Sequence, residues 1–172
     1  MADTAWIEGL SWSPDGTQIA YDRVTKDAHG EPFLASGELW IVNVDDRDAR
    51  RIPLPAGLSA FDPDWSPDGS LIVFSSGPML GLQIAGVPGS PDVYTVRPDG
   101  SNLQRLTEDN DSGAASWTSD GKILFYTQPF MWLMDADGSN LAPVLSNAPA
   151  MWGTSWGDPG GWSHHGSWQP VP

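Results

Sequence analysis

The sequence predicts an all-β chain assembled from repeats of one four-stranded antiparallel unit, and three observations carry that expectation. The motif Trp-Ser-Pro-Asp-Gly occupies residues 12–16 and 65–69, and a weaker form, Trp117-Thr118-Ser119-Asp120-Gly121, follows, so the copies stand 53 and 52 residues apart. Each copy runs into a β-branched and aromatic stretch: Ile19-Ala20-Tyr21, Leu71-Ile72-Val73-Phe74 and Ile123-Leu124-Phe125-Tyr126. A second turn, Asp99-Gly100-Ser101-Asn102 and Asp137-Gly138-Ser139-Asn140, recurs in register, with Asp45-Asp46-Arg47-Asp48 in its place in the first copy. Self-similarity at a fixed period is the mark of a repeat architecture.

In the first turn, proline presets φ, aspartate bonds the backbone ahead of it, and glycine accepts the positive φ that closes the hairpin. The runs behind it read as strands. A further strand class follows, with an aromatic residue second in each copy: Leu39-Trp40-Ile41-Val42, Val93-Tyr94-Thr95-Val96 and Met131-Trp132-Leu133-Met134. The last strand of each unit carries Arg51-Ile52, Leu103-Gln104-Arg105-Leu106 or Leu141-Ala142-Pro143-Val144. Strands are expected over residues 18–23, 38–44, 71–76, 92–97, 122–127 and 130–135. Four strands in a meander form a β-propeller blade, which hides its faces on its neighbours, and the repeated tryptophan is the expected filler between blades.

Composition agrees. Of 172 residues, 40% are hydrophobic, while 19 glycines and 16 prolines put about a fifth of the chain into turn formers, as many short strands require. Eight basic against 22 acidic side chains give a net charge of −14, which repels phosphate backbones and anionic headgroups, so neither nucleic acid nor membrane is an expected partner. No window approaches a spanning helix, and the opening MADTAWIEGL has no signal-peptide pattern, so a soluble chain is expected. The absence of cysteine removes disulfides, thiolate nucleophiles and cysteine-ligated metals.

The two turn motifs in register resemble the TolB-like, WD-repeat-like propeller family, whose repeat joins W-S-P-D-G to an aromatic strand and a D-G-S/T-N turn leading into R-L-T. Residues 65–107 match almost throughout, ending on Arg105-Leu106-Thr107, and the resemblance spans about residues 6–145. It implies propeller blades. It leaves function open, since the family holds a cell-envelope protein, propeller domains of prolyl-oligopeptidase-like peptidases and many uncharacterised modules. By the same resemblance, the compartment is periplasmic or otherwise extracytoplasmic if a signal has been removed. The chain reads as one propeller domain over residues 1–172, with repeats at about 6–54, 55–107 and 108–145 and a partial one at 146–172. In the partial copy, Trp162-Ser163-His164-His165-Gly166-Ser167 takes the turn slot better than Trp156-Gly157-Asp158-Pro159-Gly160.

Copy one inserts residues 25–37 between its second and third strands, and copy two inserts residues 77–91, whereas copy three has only Gln128-Pro129. These connectors leave one end of the blades, which makes that end the candidate binding surface. Its candidate contact residues are Phe33, Leu34, Met79, Leu80, Leu82 and Ile84, too apolar for an idle loop unless they fold onto a blade edge. Trp152, Trp156, Trp162 and Trp168 form a candidate aromatic platform for sugar rings, or else blade filler.

Catalytic signals are weak. Asp135-Ala136-Asp137-Gly138-Ser139-Asn140 opens like a calcium loop, but the twelfth position is Ser146 rather than an acid. Ser163 does not sit in G-x-S-x-G, and the chain offers neither a local triad nor a three-histidine spacing nor a phosphate loop. No enzyme activity, cofactor or metal is expected. The expected function is a non-catalytic module binding a protein partner through the connector end, with an accessory propeller of a larger hydrolase, or a glycan-binding module, as alternatives.

About three and a half blades fall short of the four to eight of a closed propeller, so the apolar faces of the outermost blades need cover. Two ways are open: a homodimer that closes the ring, or membership of a longer propeller. Assembly is the preferred one.

Overall fold

The computed structural model describes residues 5–7, 9–25, 36–76, 91–127 and 130–145. Among them are twelve strands and no helix, in three antiparallel four-stranded sheets. Blade one holds β1 (Leu10–Trp12), β2 (Gln18–Thr25), β3 (Ser36–Asn43) and β4 (Ala49–Arg51). Blade two holds β5 (Phe61–Trp65), β6 (Ile72–Ser75), β7 (Val93–Val96) and β8 (Gln104–Arg105). Blade three holds β9 (Ser112–Trp117), β10 (Lys122–Thr127), β11 (Phe130–Asp135) and β12 (Ala142–Leu145). Each sheet is a meander in sequence order, as the repeat predicts.

All six expected strands are present. The largest difference is in blade one, where β2 and β3 run to Thr25 and from Ser36 because Val24↔Gly37 and Thr25↔Ser36 extend their ladder. The inserted segment is shorter by that much.

The Trp-Ser-Pro-Asp-Gly turn has a repeated bonding scheme. The Ser13 N–H donates to the Gln18 carbonyl and Gly16 N–H to the Ser13 carbonyl, and Ser66 with Leu71 and Gly69 does the same. Gly16 and Gly69 both have φ of 72°, the left-handed value expected for the closing glycine. The third copy is one residue shorter after its glycine, and Thr118 with Lys122 and Gly121 repeats the pattern.

Each blade has two apolar faces with different roles. The leading face of blade two, with Trp65, Ile72, Phe74 and Val96, packs on the trailing face of blade one, with Ala20, Leu39 and Ile41. The leading face of blade three, with Ile123, Phe125 and Met134 and the partly buried Trp117 and Trp132, packs on Val73 and Val93 of blade two. The period-2 alternation of β6 and β10 sends alternate side chains into different interfaces, which explains why these strands are apolar on both sides.

Polar side chains register one blade on the next. Asp64 stands on inner strand β5, accepts the Ser11 hydroxyl of blade one at 2.7 Å, and accepts the Trp117 N–H of blade three at 2.7 Å. Ser11 in turn accepts the Trp65 N–H at 3.2 Å. The residue before each repeated tryptophan thus receives the N–H of the next one. Asp22, fully buried, accepts Gly9 N–H at 2.9 Å within its blade and Asp62 N–H at 3.0 Å from the next. Asp62 (φ 51°) and its repeat equivalent Ala114 (φ 47°) lie in the β-bulges of the inner strands.

Candidate binding surface at the connector end

The β2–β3 and β6–β7 connectors leave the same end of the stack, and the backbone beside them fixes this. Ala60 N–H donates to the Gly37 carbonyl at 2.9 Å, and Ser112 N–H donates to the Pro91 carbonyl at 2.9 Å. Gly37 and Pro91 each stand two residues before the repeat-equivalent pair Leu39 and Val93, so one inter-blade bond occurs twice. A Cβ at Gly37 would lie 2.1 Å from the Ala60 oxygen, so this position needs glycine.

Below each connector an acid faces an arginine across the outer two strands. In blade one Arg51 donates to Glu38 at 2.9 Å, Trp40 Nε1 donates to the other Glu38 oxygen at 3.0 Å, and the Arg23 guanidinium lies 5.3 Å from the Trp40 ring. Burial pushes the Glu38 carboxyl up, but the Trp40 and Arg51 donors and the two guanidinium charges outweigh it and hold it below its ordinary value. In blade two the equivalents are Asp92 and Arg105, with Thr107 Oγ1 (3.1 Å) and Asn110 N–H (3.2 Å) also donating to Asp92. The hydrogen bond to Asp92 raises the Arg105 pKa. Asp92 is almost completely buried, whereas Glu38 is half-buried. Sequence reading noted Arg51 and Arg105 only as last-strand residues. The signal that could have found the pairs is an acid two residues before the aromatic residue of the third strand in the first two copies, Glu38 before Trp40 and Asp92 before Tyr94.

The predicted contact residues Phe33, Leu34, Met79, Leu80, Leu82 and Ile84 lie outside the described residues, as do Trp152, Trp156, Trp162 and Trp168. The structure brings together the strand ends that bracket the first six.

At the opposite end, Ser13, Pro14, Asp15, Gln18, Trp65, Asp68, Gly69 and Pro98 line a recess of about 240 Å³ between two repeated turns. Asp15 takes donors from the Ser13 hydroxyl (2.6 Å) and from Thr17 N–H and Oγ1, and Asp68 is bonded likewise by Ser66 and Ser70. The serine hydroxyl is the largest cause holding each carboxyl below its ordinary 3.8. These carboxylates are occupied by their own turns.

The calcium-like segment is a hairpin turn. Gly138 N–H donates to the Asp135 carbonyl, Ser139 N–H to Asp137, and Asn140 Nδ2 to Asp135, which also pairs with Lys122. Its oxygens face donors of the chain itself. Among the described residues no cluster of three histidine, aspartate or glutamate side chains could hold a metal ion, and no helix is long and apolar enough to cross a membrane.

No family model matches the chain. An uncharacterized protein of Agrobacterium fabrum is 26% identical over 151 residues, covering 78% of this chain and 44% of that protein. The Tol-Pal system protein TolB of Zymomonas mobilis is 38% identical over 60 residues, covering 35% of this chain and 11% of TolB. The chain therefore spans less than half the length of these curated relatives. Among solved structures, TolB from Acinetobacter baumannii superposes with a TM-score of 0.60 at 19% identity, over 83% of this chain and 33% of TolB. The β-propeller domain of the trilobed protease from Pyrococcus furiosus gives 0.56 at 16% identity, over 83% and 44%. An oligogalacturonate lyase gives 0.60 at 13%, over 83% and 42%. Likeness at this identity speaks for the fold, and the same fold serves several activities. With three meander sheets, two turn motifs in register and these neighbours, the chain has the fold of β-propeller blades, similar to those of TolB.

Proposed function

We propose that this chain is a non-catalytic binding module that engages a protein partner through the connector end. The observation that carries this reading is the repeated Ala60–Gly37 and Ser112–Pro91 bonding, which ties the root of each long connector to the start of the next blade at the same end of the stack. Rigid blades that present variable loops from one end suit recognition. Among the described residues, the acids Asp22, Asp64 and Asp92 each accept several donors that join strands or blades. An extracytoplasmic setting belongs to the same proposal, supported by the match to a Tol-Pal system protein.

A second reading, an accessory propeller of a larger hydrolase, is favoured by the likeness to a protease's propeller domain. Substitutions at the two ends test the first reading. Leu80→Asp with Ile84→Asp at the connector end should abolish capture of the partner that the unaltered chain retains, while Asp99→Asn at the turn end should leave it intact. Turnover of peptide, ester or glycoside substrates by the purified chain would overturn the non-catalytic reading.

A further inference from the structure

The two blade-to-blade interfaces repeat one architecture with different chemistry. Blade one presents Ala20, Asp22, Leu39 and Ile41 to blade two, and blade two presents Val73, Ser75, Val93 and Thr95 to blade three, since Ala20↔Ile41 and Asp22↔Leu39 pair as Val73↔Thr95 and Ser75↔Val93 do. Two of these positions change character. Thr95 stands where blade one has Ile41, and both side chains are fully buried, but the Thr95 hydroxyl has no hydrogen-bond partner among the described residues. Ser75 stands where blade one has Asp22. Asp22 accepts the Asp62 N–H of the next blade at 3.0 Å, whereas the shorter Ser75, also fully buried, has no partner for its hydroxyl among the described residues. The indole N–H is unpartnered in both Trp65 and Trp117, so it does not separate the interfaces, yet Trp65 is buried and Trp117 only half-buried.

We propose that the seam between blades two and three parts ahead of the seam between blades one and two, as an opening built into the stack. A buried hydroxyl with no partner is rehydrated when its interface opens, so each such group favours the open form, and the second seam holds two of them. In a stack of repeats, stability is a sum of blade and interface contributions, so unequal interfaces open separately. The opening reaches the connector end. Ser112 N–H holds the Pro91 carbonyl across the second seam as Ala60 N–H holds the Gly37 carbonyl across the first. Parting of the second seam releases Pro91 from blade three while Gly37 stays tied to blade two. On the reading of that end as a binding surface, Pro91 is the root that adjusts to the partner, and Gly37 the one that stays.

Amide hydrogen exchange of the full chain, resolved by NMR, tests this on bonds that occur once in each seam. Ala60 and Ser112 donate the same bond to the preceding blade, and Trp65 and Trp117 each donate to the residue before the preceding repeated tryptophan, Ser11 and Asp64. After correction for intrinsic rates, Ser112 and Trp117 should be about tenfold less protected than Ala60 and Trp65, as an unpaired buried hydroxyl predicts. Thr95→Val removes that hydroxyl and keeps the shape, so it should raise the protection of Ser112 and Trp117 about tenfold and leave Ala60 and Trp65 unchanged. Ser75→Ala should act in the same direction on the same two amides. Equal protection of the two pairs in the unaltered chain, a gain in Thr95→Val shared by all four amides, or no gain at Ser112 and Trp117 in either variant would each overturn the proposal.

Discussion

Blades one and two are built from one motif and differ in what covers them. Trp65 ends its inner strand at 7% exposure under blade one, while Trp12, followed by the same Ser-Pro-Asp-Gly turn, stands at 53%. The outer acid–arginine pair repeats the contrast: Asp92 is almost completely buried beside Arg105, while Glu38 keeps about a third of its surface beside Arg51. The repeat therefore fixes the shape of a blade and which residues point to which face. The energetic value of those residues depends on the adjacent blade, because apolar burial stabilises roughly in proportion to the area removed from water.

The largest test of this contrast is the paired substitution of the two tryptophans. Trp65→Ala removes a buried indole between blades and should cost about 3–5 kcal/mol of unfolding free energy. Trp12→Ala should stay within about 1 kcal/mol, since its side chain already meets solvent. Urea titration of both variants reads the difference directly. Equal losses would mean that Trp12 is as well covered in solution as Trp65.

The acid–arginine pairs come next. Asp92→Ala leaves the Arg105 guanidinium and the Thr107 and Asn110 donors without their acceptor, and should cost about 2–3 kcal/mol. Glu38→Ala should cost less than about 1 kcal/mol, as a half-exposed pair with strong solvent screening. A double-mutant cycle on each pair gives the coupling energies, and a larger coupling for Glu38–Arg51 would reverse the ranking of the two blades.

The links between blades were the part least legible in the sequence. The two turn motifs announced the strand order, because proline, aspartate and glycine act within five residues and leave their signature in the local chain. Asp64 gave no such signal. Its partners Ser11 and Trp117 lie 53 residues away on either side, and nothing in Phe61-Asp62-Pro63-Asp64 shows that this carboxylate will bridge three blades. The bulges were hidden for a related reason: Asp62 and Ala114 take positive φ without glycine, held there by inter-strand geometry rather than by their own preference. At the candidate surface, the place of the connectors followed from the strand order, and the acid–arginine pairs did not, since Glu38 and Asp92 meet their arginines only across a folded sheet. Asp64→Ala should therefore be disproportionately costly for a partly buried aspartate, about 2 kcal/mol, because it leaves the Ser11 hydroxyl and the Trp117 N–H unpaired together. A loss as small as that of Asp99→Ala, on an exposed turn, would show that the bridge contributes nothing.

The smallest effect sets the turns of blades one and three against each other. Asp15 is held below 3.8 first by the Ser13 hydroxyl and then by the two donors of Thr17. Asp120 is held below 3.8 first by Thr118, and its copy has no residue in the place of Thr17. A carboxyl whose folded pKa lies below its unfolded value adds stability that is complete above the unfolded value and disappears as pH falls through the folded one. Both turns should thus keep their contribution at neutral pH and lose it only below 3.8. Removing the first donor should separate them: in Thr118→Ala the Asp120 carboxyl loses its largest lowering cause and should rise toward its ordinary value, whereas in Ser13→Ala the Asp15 carboxyl should rise less, because Thr17 N–H and Oγ1 still donate to it. Carboxyl-detected NMR titration of the two variants measures this. If both carboxyls return to the same value, the extra residue in the blade-one turn has no electrostatic role, and the two turns differ only in length.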